Sequence, residues 1–247
     1  MELITLGTSA AHPTVERACS GFLIRQGDTR LMIEAGSGAI RNLMRWQDPL
    51  ALDAIIVTHL HQDHFIDLYP LYYYLVFHRG ERLPLTVYAP DGMREFYLRI
   101  MHPGAEKEID DVYRFESLND NPAFTVGGLQ CGSMPVKHSI PAFGIRVQGQ
   151  GIIAYSSDTD YDDVLIGLAA GCDIFICEAT MQREWENLKH LTATEAGIIA
   201  QKAEVGNLVL THIWPDFDPF ESQRMAALEF DGPVIVAEDN MRIAVEG

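Results

Sequence analysis

The 247-residue sequence is poor in cross-links and in positive charge. Its four cysteines, Cys19, Cys131, Cys172 and Cys177, form no Cys-x-x-Cys pair, which excludes a disulfide scaffold or zinc ribbon. A chain of this length buries a core without cross-links, so a reducing compartment is expected. Lys and Arg number 18 against 35 Asp and Glu, for a net charge of −17. Such a surface repels phosphate backbones and argues against a non-specific nucleic-acid binder. No apolar run approaches the ~20 residues that cross a bilayer, so no membrane partner is expected. The start, MELITLGTSAAHPT, lacks a basic stretch followed by an apolar one, and a cytoplasmic location is the expectation. Repeats, low-complexity tracts and Pro/Gly/Ser-rich linkers are missing too. With 47% hydrophobic residues the chain is no disordered tail, and one domain over 1–247 is expected.

What is there is a series of short apolar strands with helices between them. Glu2–Leu6, Gly21–Arg25 and Arg30–Glu34 read as strands, with a turn at Gln26-Gly27-Asp28. Ser37–Trp46 has helical spacing, with Ile40, Leu43 and Met44 on one face. Asp53–Val57 reads as a buried strand, Thr58–His64 as a loop and Phe65–Phe77 as a helix. Leu85–Ala89 follows as a strand and Asp91–Met101 as a helix. In the second half, strands are expected at Phe124–Val126, Leu129–Val136, Phe143–Val147, Ile152–Tyr155, Asp173–Cys177, Asn207–Leu210, Val234–Ala237 and Arg242–Val245. Helices are expected at Asp162–Ala169, Thr194–Glu204 and Pro219–Glu229. Two face-to-face sheets with helices outside satisfy this pattern, although pattern alone does not fix the topology.

The strongest chemical signal is Thr58-His59-Leu60-His61-Gln62-Asp63-His64, directly after a buried strand. Neutral imidazoles and a carboxylate suit Zn²⁺, Mn²⁺ or Fe²⁺. In an extended loop, residues two apart face the same way, so His59 and His61 can share one metal. Asp63 and His64 then face a neighbouring position, which suggests two metals. The competing reading is a loop of polar histidines satisfied by ordinary hydrogen bonds. Three more residues follow apolar strands: His138, Asp158 and His212. A lone strand-end histidine is more often structural, but strand ends on one edge of a sandwich converge in space.

These residues carry a resemblance. The chain resembles metallo-β-lactamase-fold hydrolases, and within them the ribonuclease Z and small phosphodiesterase branch. The matching stretches are Leu6-Gly7-Thr8-Ser9-Ala10, the His59–His64 motif, His138, Ser157-Asp158-Thr159, Glu178-Ala179-Thr180, His190-Leu191-Thr192-Ala193, Thr211-His212 and Ala237-Glu238-Asp239-Asn240-Met241. The resemblance implies an α/β fold, the four-layer αββα metallo-β-lactamase sandwich, with the site at one edge. It implies that His59, His61 and His138 hold one metal, that Asp63, His64 and His212 hold a second, and that Asp158 bridges them. A metal-bridging water or hydroxide would be the nucleophile, and Asp63 would orient or deprotonate it. His190, supported by Glu178, would stabilise the phosphate and protonate the leaving oxygen. The bland alternatives are a polar residue at a helix entry for His190, with Thr192 or Thr194 capping the next helix, and a solvated carboxylate for Glu178. By analogy the branch also implies a homodimer.

Three departures shape the expected function. Cys177 stands where the ribonuclease Z pattern has a histidine, and Glu34 where an aspartate is usual. His138 and Asp158 are only 20 positions apart, which leaves no room for the exosite arm of transfer-RNA-processing members. With the acidic charge, this favours small phosphodiesters or nucleotides as substrates over transfer RNA, with short RNA as the alternative. A ribonuclease Z-type RNA endonuclease, a lactone or thioester hydrolase on the same metal core, and a non-enzymatic metal-bound scaffold are the competing readings. The expected cofactors are two divalent ions, Zn or Mn, with Fe as a third choice. Tyr69, Tyr72, Tyr73, Tyr74 and Phe77 are read mainly as a core helix with one wet edge; His12 is read as an exposed loop residue, with a place overhanging the site as the alternative, and Trp214 as a candidate pocket-lining residue.

Overall fold

The computed structural model describes residues 1–78, 80, 81, 83–183 and 189–246. The first half contributes β1 (Glu2–Gly7), β2 (Gly21–Gln26), β3 (Thr29–Ile33), α1 (Ala39–Leu43), β4 (Ala54–Ile56), α2 (Gln62–Phe65), α3 (Leu68–His78), β5 (Leu85–Ala89), α4 (Met93–Leu98), α5 (Ile109–Val112) and β6 (Tyr113–Ser117). The second contributes β7 (Ala123–Val126), β8 (Leu129–Val136), β9 (Ala142–Gln148), β10 (Ile152–Tyr155), α6 (Val164–Ala169), β11 (Ile174–Glu178), α7 (Ala193–Lys202), β12 (Asn207–Thr211), α8 (Pro219–Ala227), β13 (Val234–Val236) and β14 (Arg242–Ala244). One sheet runs β14-β1-β2-β3-β4-β5-β6 and the other β13-β12-β11-β10-β9-β8-β7. In each, antiparallel pairing gives way to parallel pairing, from β3 onward in the first sheet and from β10 onward in the second.

Period-two alternation sorts the side chains into three cores. On β3, Leu31 and Ile33 face the other sheet while Met32 faces the outer helices. On β11, Ile174 and Ile176 point between the sheets and Phe175 and Cys177 point outward to α6 and α7. Both faces of each sheet are therefore covered, which is why these strands read as continuous apolar runs. Each fully buried aliphatic side chain contributes about 1.5–3 kcal/mol of transfer free energy. The result is the expected αββα sandwich. Among the described residues, no helix is long and apolar enough to cross a membrane.

Three local expectations need correction. The histidine motif is not all loop: α2 starts at Gln62, inside the motif, with His61 as its extended N-cap. The expected helix over Phe65–Phe77 is two helices, α2 and α3. A short polar turn such as Gln62-Asp63-His64 carries no apolar period, so its helicity is invisible to pattern. β6 and the turns before it fall where the sequence pattern predicts no element. Its Tyr-Arg-Phe-Glu-Ser alternates, but it is an edge strand held by β5 alone.

Candidate metal centre

The parallel strands deliver the site. Open α/β sheets place ligands at the carboxyl ends of their strands, and both sheets do so here on one shared edge. Glu34 follows β3, Thr58 and His59 follow β4, Asp158 follows β10, Glu178 ends β11 and His212 follows β12. Glu34, Ser157 and His212 adopt positive φ (61°, 59° and 51°), so the chain leaves three of these strands by a sharp left-handed turn. The sheets are stitched at this edge, where Phe143 N–H donates to the Thr58 carbonyl at 3.1 Å. A bridge between Ser9 and Ile213 joins β1's exit to β12's. His138 lies in the β8–β9 connection that this stitching positions.

All seven sequence-predicted ligand positions converge. His59, His61, His138 and Asp158 offer ligand atoms within 4.8 Å of one another, and so do Asp63, His64 and His212. Asp158 Oδ2 lies between the groups, 3.6 Å from His59 Nε2, 3.3 Å from His64 Nε2 and 3.5 Å from His212 Nε2. His138 Nε2 faces His61 Nδ1 at 3.2 Å, and His212 Nε2 faces Asp63 Oδ2 at 3.3 Å.

The donor atoms fit a divalent cation. His59 Nε2, both ring nitrogens of His64 and Asp158 Oδ1 are buried without a hydrogen-bond partner among the described residues. Buried polar atoms left so cost several kcal/mol in aggregate, on the order of 1–3 kcal/mol each, unless a ligand satisfies them. Imidazoles and carboxylates are the donor set of Zn²⁺, Mn²⁺ and Fe²⁺. Burial, reinforced by His64, holds the His59 pKa well below its ordinary value, so the ring is neutral, as a ligand must be. Burial likewise lowers His61 and His138. Burial opposes charge on His64, yet Asp158 and Glu34 lift its pKa well above normal. For Asp158, burial pushes the pKa up, but His212, His64 and His59 hold the carboxylate well below its usual range. The centre is therefore built around carboxylates that attract a cation.

A surrounding layer fixes the tautomers. The Thr58 hydroxyl donates to Glu34 Oε1, so its oxygen accepts from His59 Nδ1 at 3.1 Å and Nε2 keeps its lone pair. The Thr180 hydroxyl donates to Glu178 Oε2 at 2.5 Å, so it accepts from His212 Nδ1 at 2.8 Å with the same result. His138 Nδ1 donates to the Lys189 carbonyl at 3.0 Å. Glu34 Oε1 also lies 3.3 Å from His64 Nδ1, within ion-pair reach though not aligned as a hydrogen bond. Thr58, Thr180 and the Lys189 carbonyl were not singled out from sequence. The two threonines had a signal, since Thr58 precedes His59 directly and Thr180 lies two positions after Glu178.

Glu178 and His190 join the site from the second sheet. Glu178 is buried, not the solvated carboxylate of the bland alternative. It accepts from Thr159 N–H at 2.6 Å and from His190 Nδ1 at 3.0 Å. Burial would lower the His190 pKa, but the Glu178 carboxylate lifts it to about 9. A capping box between Thr192 and Glu195 starts α7 and pins the segment that carries His190. On the rim, Ala11 N–H donates to Asp63 Oδ2 at 3.0 Å, and the exposed His12 meets Trp214 edge to face, centroids 6.3 Å apart. The tyrosine cluster is mostly core: Tyr72 is buried and Tyr69 stacks on Tyr97 at 4.2 Å, while Tyr73 and Phe77 form the wet edge. Cys177 is buried in the outer core.

A profile of the beta-lactamase superfamily domain matches residues 29–213. The chain belongs to the beta-lactamase superfamily. A Bacillus subtilis protein named probable metallo-hydrolase YhfI is 27% identical to this superfamily member, over 96% of this chain and 97% of its own. A ribonuclease Z of Thermobifida fusca is 28% identical over 99% of this chain and 94% of its own. The crystal structure of YhfI superposes with a TM-score of 0.89 at 23% identity, covering 98% of this chain and 99% of that one. A diphosphatase of the PhnP family superposes with a TM-score of 0.81 at 19% identity, covering 99% and 98%. The two superpositions show the shared fold, and with the sequence relatives and the His/Asp cluster the chain is a metal-dependent hydrolase.

Proposed function

We propose that the chain is a dinuclear metal-dependent phosphodiesterase acting on small phosphodiesters or nucleotides. The observation that carries this reading is the place of Asp158 Oδ2, within 3.6 Å of imidazoles from both ligand groups. In this reading His59, His61 and His138 hold one divalent ion, Asp63, His64 and His212 hold the other, and Asp158 serves both. Zn or Mn is the proposed metal, with Fe as a third choice. Bound there, such ions lower the pKa of a water and neutralise charge on a phosphoryl group. Asp63 orients the attacking water. Glu178 holds His190 through Nδ1, which leaves Nε2–H free to face substrate. A protonated His190 then stabilises the phosphate and passes a proton to the leaving oxygen, which avoids expelling a bare alkoxide.

Small substrates are favoured by the acidic charge and by the path from His138 to Asp158. That path is filled by β9 and β10, with no segment left for an arm. The relationship to a protein named ribonuclease Z supports short RNA as the second reading. A homodimer remains part of the proposal, and sedimentation of the metal-loaded protein tests it.

The experiment is hydrolysis of bis(p-nitrophenyl) phosphate by stripped protein reloaded with Zn²⁺ or Mn²⁺, beside Asp158→Ala. The expected result is metal-dependent turnover that the variant loses. No turnover by protein shown to hold two ions would overturn the proposal in favour of lactone or thioester hydrolysis. A basic-groove RNA enzyme would instead cleave short RNA with steep salt dependence.

A further inference from the structure

Three arginines of this acidic chain, Arg17, Arg41 and Arg45, line one cleft of about 310 Å³. That volume is at the lower end of small-ligand pockets. Arg41 and Arg45 are exposed and four residues apart on and just beyond α1, on one side of that turn. Among the described residues neither guanidinium has a hydrogen bond or ion pair. Arg17 reaches the Ile213 carbonyl at 3.4 Å. Two carboxylates, Glu16 and Asp239, also line the cleft. Asp239 is committed elsewhere: it accepts from the Thr8 hydroxyl at 3.0 Å, Ala18 N–H at 2.7 Å and the Asn42 amide at 3.0 Å. The cleft thus has an excess of cationic groups in a molecule of net charge −17.

Both walls of the cleft are continuous with segments that touch proposed metal ligands or their neighbours. The loop that carries Arg17 also donates Ala11 N–H to Asp63 Oδ2 at 3.0 Å. Arg17 grips the residue next to His212. On the other side Ser37 and Gly38 line the cleft, and Gly36 before them lies so close to the Asp63 carbonyl that a Cβ there would come within 2.1 Å of it. Resting on the phosphodiesterase reading, we propose that this cleft is a second phosphate subsite. It takes a terminal phosphate monoester of the substrate, remote from the phosphodiester that is cleaved. Guanidinium groups pair with phosphate oxygens two at a time, and an unpaired pair of arginines at helical spacing supplies that fork twice. The subsite would select phosphorylated nucleotides over their unphosphorylated counterparts.

The test is calorimetric binding of adenosine 3′,5′-bisphosphate and of AMP to the metal-loaded protein, since neither contains a diester to be cleaved. The expected result is at least about tenfold tighter binding of the bisphosphate, a preference that shrinks as salt rises. Arg41→Ala with Arg45→Ala should bring the two affinities to within about twofold. Arg41→Lys with Arg45→Lys should keep part of the preference, which separates charge from fold. Equal affinities in the unaltered protein, or a preference that survives the double alanine variant, would overturn the subsite. Turnover of bis(p-nitrophenyl) phosphate by the same preparation, which carries no second phosphate, tests the phosphodiesterase reading separately.

Discussion

Past the end of β3, Glu34 is buried, takes the Thr58 hydroxyl and lies against His64. At the end of β11, Glu178 is buried, takes the Thr180 hydroxyl and lies against His190. Each threonine then accepts from a second imidazole, His59 in the first sheet and His212 in the second. In each sheet one carboxylate and one threonine thus contact two imidazoles, although only Glu178 hydrogen-bonds the imidazole beside it. The difference is in the imidazole on the carboxylate. The His64 side chain is fully buried and 3.3 Å from Asp158 Oδ2, whereas that of His190 is 15% exposed and 4.0 Å away. In our proposal the same arrangement therefore serves a metal ligand on one side and a proton donor facing substrate on the other.

The largest expected effect comes from removing what the two sides share. Asp158→Ala should cost turnover roughly 10⁴-fold and release bound ions, measured by steady-state kinetics and elemental analysis. Retained ions with full turnover would break the comparison at its centre. Next come the two unlike imidazoles. His190→Ala should lower kcat by about 10²–10⁴ while ion content stays at the unaltered level. His64→Ala should lose an ion. If His190→Ala also sheds an ion, the asymmetry between the sides is wrong. Smaller still, Thr58→Val and Thr180→Val should each weaken metal affinity about 10–100-fold, read by competition with a chelator dye. Unequal losses would show which side's orientation matters more. Smallest, Glu34→Gln keeps shape and an acceptor for Thr58 but loses the negative charge beside His64. It should lower thermal stability by about 1–3 kcal/mol.

Much of this was legible in the sequence because strands that are buried on both faces announce themselves, and their ends hold the site. The DAIIV and DIFIC segments predicted β4 and β11, and the polar residues after each apolar run turned out to share one edge. The convergence of the seven proposed ligand positions, and of Glu178 with His190, was readable in the same way. What was not legible was short-range or non-local. α2 begins within the histidine motif without an apolar period, so pattern assigned it to a loop. Thr58 and Thr180 matter through hydroxyl contacts that only the folded arrangement creates. The Lys189 carbonyl that orients His138 comes from 51 positions away. The cleft of Arg17, Arg41 and Arg45 is assembled from a loop and a helical segment, and nothing in the local sequence marks Arg17 as a neighbour of the other two.

The most direct test of the central claim is the number of ions bound per chain, counted on protein freed of loosely bound metal. We expect two in the unaltered chain, and one in each of His138→Ala and His212→Ala. Those variants remove one ligand from each group while leaving Asp158 in place. A single ion in the unaltered chain, or the loss of both ions in either variant with the fold intact, would contradict two separate sites bridged by Asp158.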